Sequence, residues 1–207
     1  MSTPSLTRLD APSAPRALAL VLHGGTQRSS DPVDGRSASW RRMAAMQRRI
    51  APDLHAAGIS TWLLRYRVRG WNTTGRGPQE DARWALDRVR EEHGPLPVVL
   101  LGHSMGARTS AYVADDPAVV GVVGLAPWWQ PDDPVGALAG RHVVAAHGRT
   151  DKITSARMTR AFVQRAEAVA ASTEFVSMGR VGHYMLRRIP AWNDVALRSV
   201  LAVADRA

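Results

Sequence analysis

Residues 98–116, VVLLGHSMGARTSAYVADD, run from an apolar segment through Gly102-His103-Ser104-Met105-Gly106 into small, helix-compatible residues. A serine between two glycines is either a capping residue in a glycine-rich turn or a nucleophile on a turn too tight for larger neighbours. The flanking strand and helix patterns favour the nucleophile, because the Gly-x-Ser-x-Gly elbow requires that context. The helix that follows would place positive potential behind Ser104 and aim the Met105 N–H at a developing oxyanion. A serine hydroxyl attacks a carbonyl only when a base removes its proton, and the base needs a third group to orient it. Candidates for both follow later strands: Asp151 in HGRTDKIT and His183 in the glycine-bounded MGRVGHYML.

Each assignment has rivals. His23 and His103 belong to backbone motifs, His55 and His93 sit on helical segments, and His142 and His147 bracket a strand. His147, four residues before Asp151, competes most directly with His183 for the role of base. Asp132 or Asp133 is the alternative acid, although Asp132-Asp133-Pro134 reads as a solvated turn. Trp128 and Trp129 are the large side chains expected near the mouth of the site, where apolar lining is usual. Arg65, Arg67, Arg69 and Arg108 are close enough in sequence to meet an anionic substrate, but read as surface residues of an arginine-rich chain.

The elements that would position these groups alternate. Short apolar runs at 17–23, 59–67, 98–102, 119–126, 142–147 and 173–177 read as buried parallel strands. Helical periodicity fills the gaps: Ala82, Ala85, Leu86 and Val89 before Gly94-Pro95; Thr159, Phe162, Val163 and Ala166; and a last helix opened by Pro190. Pro52 predicts a kink, or two short helices, in the segment that carries Trp40, Met43, Ile50 and Leu54 opposite Arg41, Arg42, Arg48 and Arg49. Strands alternating with helices give a parallel sheet covered on both faces, with ligands bound at the carboxyl ends of the strands. Ser104, Asp151 and His183 all fall there.

The order Ser104, Asp151, His183 and the strand–GHSMG–helix context resemble the α/β-hydrolase-fold serine hydrolases, from VLHGG at Val21 to the final helix. The resemblance implies a three-layer α/β-hydrolase fold over residues 1–207 as one domain, with residues 1–15 an extended or flexible N-terminal segment. It makes Ser104 the nucleophile, His183 the general base and Asp151 the orienting acid. His23-Gly24-Gly25 matches the family's His-Gly oxyanion motif, so the N–H of Gly25, or of Thr26, joins that of Met105. Only residues 6–9 are available for the family's antiparallel N-terminal strands, which predicts a sheet of about six strands. The 127–141 connection is too short for a cap domain, so the site should be open. The implied activity is hydrolysis of a small carboxylic ester through an acyl-enzyme, without metal or organic cofactor. Acyl thioesterase activity on the same triad, or a noncatalytic binding protein on the same fold, are the alternatives.

Composition narrows the partners. The chain of 207 residues is 45% apolar and 22% charged, as in an ordinary globular domain, and it contains no cysteine, which excludes disulfides and a thiol nucleophile. The net charge of +9 comes almost wholly from dispersed arginines, Lys152 being the only lysine, which argues against a nucleic-acid surface. No apolar run reaches membrane-spanning length and the first fifteen residues lack a signal core, which predicts a cytoplasmic protein with no membrane partner. The sequence leaves the oligomeric state open.

Overall fold

The structure is a computed structural model that describes residues 3–207. The first two residues of the N-terminal segment considered above lie outside the described residues. The chain forms β1 (Ser5–Leu9), β2 (Ala17–Leu22), α1 (Ala38–Ala56), β3 (Ile59–Arg65), α2 (Arg76–His93), β4 (Val98–His103) and α3 (Met105–Val113). It continues through β5 (Val119–Leu125), a single 3-10 turn (Gly136–Leu138), β6 (His142–His147), α4 (Ala156–Ala166), β7 (Ser172–Ser177) and α5 (Ile189–Ala204). The sheet has seven strands in the order β1-β3-β2-β4-β5-β6-β7. All six expected parallel strands are present. The seventh is β1, which pairs antiparallel with β3 in the register Leu6 opposite Leu64 and Leu9 opposite Thr61.

Alternation along the strands divides the core. Leu18, Leu20 and Leu22 of β2 and Val98 and Leu100 of β4 face α2, α3 and α4. Ala17, Ala19 and Val21, with Val99 and Leu101, face α1 and α5, where Met43, Met46, Ile50 and Leu54 meet Trp192, Val195 and Val200. Period-two alternation makes both faces of a central strand apolar, which is why β2 and β4 read as continuous hydrophobic runs.

Two local details differ from expectation. α1 runs unbroken through Pro52. Pro52 and Arg48 are both exposed, so the Arg48 carbonyl that loses its helical donor can turn to water. α2 ends where the sequence indicates: Gly94 adopts φ 70° and its N–H donates to the Arg90 carbonyl at 2.9 Å. Only the 3-10 turn Gly136–Leu138 interrupts the connection between β5 and β6, so that connection forms no cap domain. Among the described residues, no helix is long and apolar enough to cross a membrane.

Candidate active site

Ser104 is the one residue between β4 and α3, and its backbone sits at φ 53° and ψ −115°, a region that side-chain-bearing residues rarely occupy. Close packing holds it there. A Cβ on Gly102 would lie 2.4 Å from the Ala107 nitrogen, and one on Gly106 would lie 2.1 Å from the Leu22 carbonyl oxygen. Only glycine at both positions lets strand and helix approach so closely. The turn is also pinned through its backbone. The Ser104 N–H donates to the Leu125 carbonyl at 3.1 Å, and the Ser104 carbonyl accepts from Arg108 at 3.1 Å and Trp128 at 3.2 Å.

The three residues picked from the sequence meet. His183 Nε2 lies 2.9 Å from Ser104 Oγ, and His183 Nδ1 lies 2.9 Å from Asp151 Oδ2. Asp151 Oδ1 accepts from the Ile153 and Thr154 amides at 2.8 and 2.9 Å, and the Thr154 hydroxyl donates to Oδ2 at 2.9 Å. Burial alone would raise the Asp151 pKa. Hydrogen bonds from His147, His183 and the Thr154 and Ile153 amides outweigh it and hold the carboxyl well below the usual carboxylate range. An ionised Asp151 accepts from His183 Nδ1–H, which leaves Nε2 as the basic nitrogen facing Ser104. The His183 loop is anchored from below by Met178, Val181 and Met185, all buried against α1 and α5.

The rivals have other places. His147 is fully buried, with Nε2 3.1 Å from the same Asp151 oxygen and Nδ1 2.8 Å from Thr159 Oγ1. Asp133 is not a solvated turn residue. It is buried, takes Arg108 through Nε at 3.0 Å and Nη2 at 2.6 Å, and accepts from Tyr112 Oη at 2.8 Å and the Gln130 amide at 2.8 Å. Asp132 is exposed. Arg108 is correspondingly no surface residue: it is buried, and its guanidinium packs over the rings of both Trp71 and Trp128, 4.4 and 4.7 Å from their centroids. Arg67 pairs with Asp81 and Glu80, and Arg65 donates to Ser5 Oγ.

Two further histidines brace the site. His23 Nδ1 lies 2.6 Å from the Gly24 carbonyl, while the Tyr66 amide points at Nε2 from 3.4 Å. A carbonyl can only accept, so the proton sits on Nδ1 and the ring is neutral. Burial, the larger effect, lowers the His23 pKa to about 4. His103 packs against His183 with ring centroids 5.0 Å apart and the planes tilted by 40°, and it donates through Nε2 to the His183 carbonyl at 3.1 Å. Burial first, then the neighbouring His183, lowers its pKa to about 3. Both imidazoles hold backbone: His23 the glycine loop after β2, His103 the loop that carries the base.

The elbow opens into a cavity of about 580 Å³ whose lining includes Gly25, Thr26, Arg42, Arg69, Trp128 and His183. The Thr26 N–H donates to the Arg69 carbonyl at 2.9 Å, which uses that amide within the loop. A Cβ on Gly25 would lie 2.3 Å from the same carbonyl, so the loop requires glycine there. Trp128 lines the cavity as expected. Trp129 does not: it is 1% exposed, stacks on Phe162 at 4.2 Å and donates to the Ala107 carbonyl, and so supports the wall from behind. Arg42 was missed by sequence. The heptad pattern puts it on the solvated face of α1, yet it reaches the cavity and donates through Nε to the Met185 carbonyl at 3.3 Å. Its position one turn into α1, on the flank of the stripe headed by Met43 and Met46, was the available signal. Among the described residues no group of three or more His, Cys, Asp or Glu side chains is arranged to hold a metal ion.

A doubly flanked, mostly parallel sheet with a strand–serine–helix elbow, and with the acid and histidine on later loops, defines an α/β-hydrolase. The sequence pattern of the serine aminopeptidase S33 family matches residues 13–146, more than half of the chain, and the chain belongs to that family of hydrolases. None of the curated proteins matches it in sequence. Solved structures match over nearly the whole length. An alpha-beta serine hydrolase homologue from Coxiella burnetii superposes with a TM-score of 0.74 at 19% identity, covering 96% of this chain and 92% of that one. Est1E from Butyrivibrio proteoclasticus, with ferulic acid bound, gives 0.72 at 12% identity over 96% and 94%. A serine hydrolase without lid from Xanthomonas campestris gives 0.67 at 18% over 96% and 94%. At these identities the likeness is one of fold.

Proposed function

We propose that the protein hydrolyses small carboxylic esters through an acyl-enzyme on Ser104. The observation that carries this reading is the continuous relay from Asp151 through His183 to Ser104, with both contacts at 2.9 Å and the serine facing an open cavity. In the acylation step Ser104 Oγ attacks the ester carbonyl as His183 Nε2 takes its proton. The tetrahedral oxyanion is held by the Met105 N–H at the start of α3 and by the Gly25 N–H, since the Thr26 amide is engaged with Arg69. His183 then gives its proton to the departing alkoxide, and water attacks the acyl-enzyme by the same route.

An ester fits better than a peptide with a free amino terminus. Recognition of an ammonium calls for a carboxylate in the cavity, and the lining holds Arg42 and Arg69 but no aspartate or glutamate. The Est1E structure with ferulic acid bound, and an esterase domain from Rhodothermus marinus at a TM-score of 0.66, support the same choice. The test is labelling by a fluorophosphonate together with turnover of p-nitrophenyl acetate. Both should be abolished by Ser104→Ala, with turnover falling by about 10⁴ to 10⁶. Labelling or turnover that survives the substitution would place the nucleophile elsewhere.

A further inference from the structure

Taking the ester hydrolase reading as its basis, we infer that the substrate carries a negatively charged group, a carboxylate or a phosphate ester, that binds in the cavity against Arg42. Arg42 is a cation with no anion. Its Nε donates to the Met185 carbonyl, its Nη2 is buried with no acceptor, and it forms no ion pair with any carboxylate among the described residues. Arginines elsewhere whose partner carboxylate is buried do have one: Arg67 pairs with Asp81 and Arg108 with Asp133. Removing a guanidinium from water without a counter-charge is costly, and burial lowers the Arg42 pKa accordingly. A cost of that kind at the wall of a substrate cavity is recovered when an anion binds.

The surroundings have the same sign. Arg69 lines the cavity too, its charge only partly met by Asp34 at 3.8 Å. Asp34 is itself engaged by the Ser37 hydroxyl and the Arg36 amide. The first turn of α1 also forms part of the wall and contains no acidic residue, so the positive end of the helix adds to the field of Arg42. Arg42 lines the cavity beside His103, which packs on His183, and its charge contributes to the lowered pKa of His103. Arg42 lines the same cavity as Ser104 and His183, so an anion held by Arg42 would share that cavity with the scissile carbonyl, with the apolar side chains of Trp128 and Ile153 in its wall.

The test compares matched pairs that differ only in charge. Mono-p-nitrophenyl glutarate is set against its methyl-capped diester, and 2-acetoxyethyl phosphate against its dimethyl triester. kcat/KM should be at least tenfold higher for the anionic member of one pair or both, and the pair that responds tells a carboxylate from a phosphate. Arg42→Met should bring the ratio near one, Arg42→Lys should retain much of it, and added salt should reduce it. Equal rates within both pairs, or a ratio unchanged in Arg42→Met, would overturn the inference even though the neutral esters are still hydrolysed. Should wild-type protein turn over no ester at all, calorimetric binding of the four compounds to Ser104→Ala decides the matter independently: tighter binding of an anionic member upholds the site, equal binding rejects it.

Discussion

His147 and His183 donate to the same carboxylate oxygen, Asp151 Oδ2, from 3.1 and 2.9 Å. The orienting acid is thus held between the base and a second, wholly buried imidazole anchored on Thr159. Asp151→Asn should lower kcat by about 10⁴ with the fold retained, because the amide favours the wrong His183 tautomer, whereas Asp132→Asn should have little effect. His147 acts through Asp151, as a positioning residue. A hydrogen bond to a charged group contributes about 1.5–3 kcal/mol, so His147→Gln should reduce kcat roughly tenfold with KM unchanged. In the Asp151→Asn background the same substitution should cost almost nothing further. An undiminished loss there would mean that His147 serves the fold alone.

Acid should weaken the protein earlier than carboxylate titration would. The folded-state pKa values of His23 and His103 lie at about 4 and about 3, below the ordinary 6.5. The unfolded chain therefore binds more protons as pH falls through 6.5, and stability declines from there towards pH 4, by on the order of 3 kcal/mol for His23 alone. Asp151, depressed below 3.8, adds its own loss only under about pH 4. Urea midpoints measured from pH 8 to pH 4 should fall steadily below pH 6.5. A flat profile down to pH 4.5 would show that these rings are not buried as neutral groups.

Removing the Asp133 carboxylate leaves Arg108 a buried cation against two tryptophans, one of them in the cavity wall. Breaking a buried pair from one side costs about 3–5 kcal/mol, so Asp133→Ala should lower Tm by on the order of 10 °C. Because Trp128 rests on Arg108, KM should rise at temperatures where the variant is still folded. A Tm change under 2 °C would show the pair to be solvated.

The features legible in the sequence were those set by local pattern. The six parallel strands follow from continuous apolar runs, and Ser104, Asp151 and His183 follow from their places after strands. What escaped was set by the packing of distant segments. Asp133 looks like a turn residue because Asp-Pro is turn chemistry, and nothing local reveals that Arg108, 25 residues earlier, is buried beside it. Trp128 and Trp129 are adjacent, and only the direction of the backbone after β5 sends one to the cavity and the other onto Phe162. Arg42 shares its helix with three solvated arginines, and the loop carrying Met185 turns its surface position into a wall of the cavity.

The backbone of Ser104 has a consequence for how the chain is selected. At φ 53° a residue with a Cβ costs of order 1–3 kcal/mol relative to relaxed geometry, and glycine would be at ease there. Ser104→Gly should therefore give an inactive protein that melts higher than wild type, by about 2–4 °C for each kcal/mol released. Equal or lower melting would mean that the hydroxyl's contact with His183 outweighs the strain. Folding alone would favour the glycine. A serine at that dihedral angle works against the thermal tolerance of the molecule that carries it, and selection for stability alone, acting on a copy with no chemistry to perform, would tend to replace it.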